Sequence, residues 1–189
     1  ELALEIEIDP LEQIDEDSFP KGLNITQECN EALKMLKGNR EERIQGLRIF
    51  CEYRDSRSFP LLLPLLDQPC PVERMSVVYA LGRNPCPSAV EKLVSLLETD
   101  DNAYVRRATA WSLANYDNQI VLEPLINALK NDVAAVRLWS SSSLAEIGNV
   151  SLENAQLAAE QLLISLKIDN EPGVRSNCIW SLCRLYEKL

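Results

Sequence analysis

One arginine returns along this chain at nearly constant intervals. Arg43, Arg74, Arg106, Arg137 and Arg175 lie 31, 32, 31 and 38 residues apart. Seven residues after each stands Phe50, Leu81, Leu113, Leu144 or Leu182. Val105, Val136 and Val174 precede three of the arginines, while Glu42 and Glu73 break that column. A fixed period in this range marks a solenoid or array. Ahead of each arginine lies a second apolar segment: Cys29–Leu36, Phe59–Leu66, Val90–Leu97, Leu122–Leu129 and Ala155–Leu166. The spacing therefore predicts an all-α chain of about five helical hairpins, with helices A and B in each. No hairpin buries its apolar side alone, so neighbours must stack into one continuous core.

The arginine is the residue that needs explaining. A cation at a helix N-terminus opposes the macrodipole, so an acid must answer it. The A–B turns offer Asp67, Asp100 with Asp101, Asp132 and Asp169. These predict a ladder of Asp–Arg bonds along the stack, each arginine reaching into its own turn. Small residues on the B helices, such as Ala108, Ala110, Ser140 and Ser141, allow close helix approach. A run of four serines is poor for an isolated helix. It fits a tightly packed one whose hydroxyls bond the preceding turn.

Two stretches, Val105-Arg-Arg-Ala-Thr-Ala-Trp-Ser-Leu-Ala114 and Ala135-Val-Arg-Leu-Trp-Ser-Ser-Ser-Ser-Leu-Ala-Glu-Ile-Gly148, resemble HEAT-like repeats of the phycobilisome-lyase type. Glu73–Gly82 and Val174–Cys183 are weaker copies, and the unit around Arg43 is degenerate, as an end cap can be. The resemblance runs from about Cys29 to the C-terminus. It implies a right-handed α-solenoid over residues 27–189, preceded by an acidic extension over 1–26. It also implies a protein-binding scaffold in a cyanobacterial or plastid setting, cytoplasmic or stromal. Two narrower roles come with the family: a phycobilin chromophore lyase or phycobilisome-related factor, meeting a bilin or phycobiliprotein, and a partner of an iron–sulfur assembly protein. No catalytic motif of the family maps onto single residues, and no cofactor or metal is expected.

Charge bounds the partners. The net charge is −10, yet residues 1–17 hold eight acids and no base, so the acidity belongs to that segment. Phosphate binding needs clustered Lys and Arg, and nucleic acid is therefore disfavoured. The chain has no His, which removes histidine acid–base chemistry and histidine ligands. No long apolar run predicts a membrane span, and no basic, apolar leader predicts secretion. The sequons at Asn24 and Asn149 are then chance. Leu2–Ile8 alternates apolar and acidic residues. Either it belongs to a flexible leader, or Leu4, Ile6 and Ile8 dock on the solenoid and cap or mask it.

Six cysteines without a secretion signal fit a reducing compartment. Pro69-Cys-Pro71 and Pro85-Cys-Pro87 bracket the second B helix. Cys70 and Cys86 then lie roughly 20 Å apart along a helix rising 1.5 Å per residue, too far to share a metal. Cys29, Cys51, Cys178 and Cys183 read as structural thiols.

Function is sought on the B helices. With the anchor arginine as position zero and 100° per residue, positions 3, 4 and 7 form the core side. Positions 1, 2, 5 and 9 face away. There stand Arg48, Met75, Tyr79, Arg83, Arg107, Trp111, Leu138, Trp139, Trp180 and Arg184. All three tryptophans belong to this set, and Trp, Tyr and Arg dominate binding hot spots. This face is expected to form a partner-binding groove on the concave side. The alternative is that the aromatics pack sideways against the next B helix. At the C-terminus, Arg184 and Tyr186 are expected to cap the stack with a polar face.

Overall fold

A computed structural model describes residues 25–117, 119–186 and 188–189. The acidic extension, with Leu4, Ile6 and Ile8, lies outside the described residues. Five helical hairpins follow one another. They are α1 (Ile25–Met35) with α2 (Arg40–Glu52), α3 (Phe59–Leu62) with α4 (Pro71–Arg83), and α5 (Val90–Thr99) with α6 (Ala103–Leu113). The last two are α7 (Leu122–Asn131) with α8 (Ala134–Gly148), and α9 (Leu152–Ile168) with α10 (Pro172–Leu185). Helix starts follow local chemistry. Asn39 closes a capping box with Glu42, and Asn102 and Ser151 accept first-turn N–H bonds. Pro71 and Pro172 sit in the first turn of α4 and α10, where a missing N–H costs nothing.

The hairpins stack into an α-solenoid. Each B helix packs on the next along the whole chain, and the A helices touch one another more sparingly. The B layer is therefore the tighter of the two. A single core runs through the stack, with Leu47, Phe50, Leu81, Leu113, Leu144 and Leu162 fully buried.

The arginine ladder has a direction. Each anchor donates one N–H to a carbonyl of its own turn: Arg74 to Gln68 (2.9 Å), Arg106 to Asp100 (2.8 Å), Arg137 to Asp132 (2.8 Å) and Arg175 to Asp169 (2.7 Å). The carboxylate comes from the following unit instead. Arg74 pairs with Asp100, Arg106 with Asp132 and Arg137 with Asp169, each through two N–H···O bonds of 2.7–2.8 Å. The expected clip within one unit is thus a strap between two units.

Asp67 does not join the ladder. The residue closing the A helix before Arg74 is Gln68, whereas Asp100, Asp132 and Asp169 close theirs. Asp67 falls one residue too early and pairs with Lys92 instead. Arg43 takes the buried Glu73, whose longer side chain reaches from the start of α4. Pro60 and Pro64 explain the offset. They break the second A segment into a short α3 and a 3-10 helix over Leu63–Asp67, because Pro lacks the N–H a continuous helix needs.

The serines also stitch units together. Ser141 bonds back to Leu138 in its own helix, as expected, but Ser143 donates to Ala110 of α6 and Ser181 to Ser141 of α8, each at 2.7–2.8 Å. Asn177 donates to Leu138, Ser141 and Ser142 across the same interface.

Candidate functional site

The B helices carry two side-chain stripes rather than one outward face. In the first four units positions 4 and 8 lie under the next unit, whereas positions 5 and 9 are exposed or half-buried. Position 1 varies: Met75 and Leu138 turn away from solvent, while Arg107 turns to Tyr79 of the preceding unit. This corrects two expected groove residues. Met75, at position 1, is only 5% exposed and belongs to the core. Leu138, also at position 1, is half-buried and faces Gly173 of the following hairpin. A helical wheel separates a helix's own core from everything else, but it cannot tell solvent from a neighbouring unit.

Six of the remaining eight residues gather into two clusters. In the first, the Tyr79 and Trp111 rings meet across α4 and α6 at 5.3 Å between centroids, tilted by 53°. Arg83 lies 5.9 Å over the Trp111 ring. Arg107 donates to the Tyr79 hydroxyl at 3.3 Å and lies 5.6 Å from the ring of Tyr104. Gly82 makes this meeting possible, since a Cβ there would sit 2.4 Å from the Trp111 ring. Trp111 is therefore packed sideways on one edge and open on the other. In the second cluster, Arg184 lies 4.9 Å over Trp180 and bonds Glu146 of α8 at 2.7 Å. Trp180 is 47% exposed. Trp139 is half-buried against the core between the clusters, and Arg48 is exposed on α2. Cations over ring faces attract the π-quadrupole and hold both partners in place.

Several contributors were not anticipated. Glu146 orients Arg184, and Tyr104 flanks Arg107. Asn84 is buried and donates to Phe50 and Tyr53 while accepting from Asp55 N–H, tying α4 to the first unit. Tyr116 donates to Leu81 at 3.1 Å, and burial raises its hydroxyl pKa to about 12. A depression of ≈650 Å³ lies between α7 and α9, walled by Ile126, Leu157, Ile164 and Ile168.

The thiols divide by environment. Burial pushes Cys51 up to about 12 and Cys178 up to about 11. Cys70 closes the N-terminus of α4, with the Arg40 guanidinium 3.0 Å from its sulfur. Burial disfavours its thiolate, but the N–H groups of Glu73 and Val72 and the Arg40 cation outweigh that and lower its pKa. Among the described residues no three Cys, Asp or Glu side chains gather as a metal would require, and no helix is long and apolar enough to cross a membrane.

Models of HEAT repeats match residues 30–114 and again 90–183, spanning the stacked hairpins from end to end. The chain belongs to the HEAT-repeat family. No curated protein matches it closely enough to add to that. HEAT repeats are in general protein-interaction scaffolds.

Proposed function

We propose that this chain is a non-enzymatic scaffold that holds a protein partner along the exposed side of its B helices. The observation that carries the reading is the pair of clusters on that side, Tyr79–Arg83–Trp111 and Glu146–Trp180–Arg184, each half open and each with a guanidinium over an indole. Aromatic and arginine side chains held rigidly lose little entropy on binding. Arg48, Arg107 and Trp139 stand on the same layer of B helices and extend the proposed surface beyond the two clusters.

The test is capture of a partner from native extract, followed by affinity measurement with the purified pair. Trp180→Ala and Arg83→Ala are expected to weaken binding at least about tenfold each, or about 1.4 kcal/mol, with the melting temperature held within a few degrees. Ile164→Asp, in the depression between α7 and α9, is expected to leave binding intact. Unchanged affinity in both groove variants would overturn the reading.

The narrower roles implied by the phycobilisome-lyase resemblance remain proposals of the same groove: an assembly factor, a bilin lyase or an iron–sulfur assembly partner. Each has its own readout. A bilin would show a shifted visible band on mixing with the chain. An iron–sulfur partner would bring a brown chromophore with it under anaerobic purification.

A further inference from the structure

Charge is divided unevenly between the two aromatic clusters. In the second, Glu146 bonds Arg184 and answers its charge. In the first, Arg83 and Arg107 flank the Tyr79 and Trp111 rings, and among the described residues no carboxylate pairs with Arg83. Arg48 and Glu52 stand one turn apart on the neighbouring α2. Burial and Glu52 raise the Cys51 pKa while Arg83 and Arg48 oppose them, so these three charges gather around one thiol. Guanidinium groups therefore outnumber carboxylates at this end of the B layer, although the whole chain carries a net charge of −10.

The acids that complement them belong to the same chain. Residues 1–17 hold eight acids and no base, interleaved with Leu2, Leu4, Ile6, Ile8, Leu11 and Ile14. An acidic, aliphatic segment suits open rings flanked by guanidinium groups. The depression between α7 and α9 does not suit it, because Glu123, Glu160 and Asp169 line that site beside Lys130 and Arg137. Reach is no obstacle. Packed helices lie about 8–10 Å apart, so the three steps from α1 through α2 and α4 to α6 amount to roughly 30 Å. The segment ahead of Ile25 spans up to about 80 Å when extended.

We propose that residues 1–17 dock on the Tyr79–Arg83–Trp111 cluster of their own molecule. Their carboxylates meet Arg83 and Arg107, and their aliphatic side chains cover the open edge of Trp111. The consequence for regulation rests on the scaffold reading above: a partner reaches this part of the surface by displacing the acidic segment, and does so best with acids of its own. Tethering makes a weak contact effective, because a linked segment acts at a local concentration of about 1 mM. The Trp180–Arg184 cluster stays open to the partner throughout.

The probe is a fluorescein-labelled peptide of residues 1–17, followed by anisotropy on two full-length chains. One is the parent. In the other, all eight acids of residues 1–17 are replaced by their amides. The tethered segment competes with the peptide in the parent and not in the amide variant. The peptide is therefore expected to bind the amide variant at least about fivefold more tightly, for a dissociation constant of about 0.2 mM against a local concentration of about 1 mM. Adding Arg83→Gln to the amide variant is expected to weaken the peptide at least about fivefold, whereas Lys92→Gln, which removes a cation from α5, is expected to leave it unchanged. Arg83 is exposed, and an unchanged melting temperature shows that its variant keeps the fold. Equal affinity for parent and amide variant, or binding to neither, overturns the proposal. So does binding to the amide variant that survives Arg83→Gln. A parent that dimerises where the amide variant does not also overturns it, since the segment then docks on a second copy. No partner enters these measurements, so their failure is distinct from a failure of the partner-affinity test above.

Discussion

Asp169 serves three neighbours at once. Its carboxylate accepts two bonds from Arg137 at 2.7 Å and one from Glu171 N–H at 2.9 Å, and its carbonyl accepts from Arg175 at 2.7 Å. The Arg137 hydrogen bonds hold its pKa below the usual carboxylate value, against the opposing effect of burial. A carboxyl with a lowered folded pKa stabilises the fold above its unfolded value of about 3.9, and that contribution is lost as pH falls through the folded value. Asp169→Asn is expected to cost about 3 kcal/mol at pH 7, because it leaves a half-buried guanidinium without its partner. That is about 6–12 °C in melting temperature for a chain of this size. The gap between variant and parent is expected to close as pH drops below about 4. Melting temperatures from pH 2.5 to 7 check this; a gap that stays constant with pH would show that the carboxylate's charge is not what stabilises.

Among the elements, α4 and α6 show how closely neighbouring B helices approach. Gly82 is buried against the Trp111 ring, and any Cβ there collides with it. Gly82→Ala is expected to swing Trp111 toward solvent, to red-shift its fluorescence, and to destabilise by about 1–3 kcal/mol, the usual cost of overpacking. An unshifted emission spectrum would show that the helices part instead. Much of this level could be read from the chain alone, because an apolar segment recurs ahead of each arginine and helices form from local spacing. The five hairpins and their order follow from the arginine period. What could not be read was which unit each side chain addresses. Asp100 stands 26 residues after Arg74 and 6 before Arg106, and only the stacked geometry shows that it turns its carboxylate to the distant Arg74 and its carbonyl to Arg106. Met75 and Asp67 were misplaced for the same reason: a one-helix projection hides the neighbour, and a one-residue offset at Gln68 moves an acid off the ladder. The aromatic stripe was visible as residue types, but its half-packed, half-open state depends on Gly82.

For the molecule as a whole, stability is a chain of nearest-neighbour couplings. Asp132 is one link between the third and fourth hairpins, through both of its bonds to Arg106, beside the Ser143–Ala110 bond. Asp132→Ala is expected to divide urea unfolding into two resolvable steps, or to lower the slope of a single one. Far-UV circular dichroism measures it; one transition with an unchanged slope would show that the apolar interface alone couples the halves. The ladder has a further consequence. Donor and acceptor of every rung from Arg74 onward belong to successive modules, and the third, fourth and fifth modules each present the same pair. Excising one whole module, or duplicating it, rejoins a guanidinium with an aspartate that already fits. Such a protein can therefore change length in complete steps during evolution without inventing a new junction.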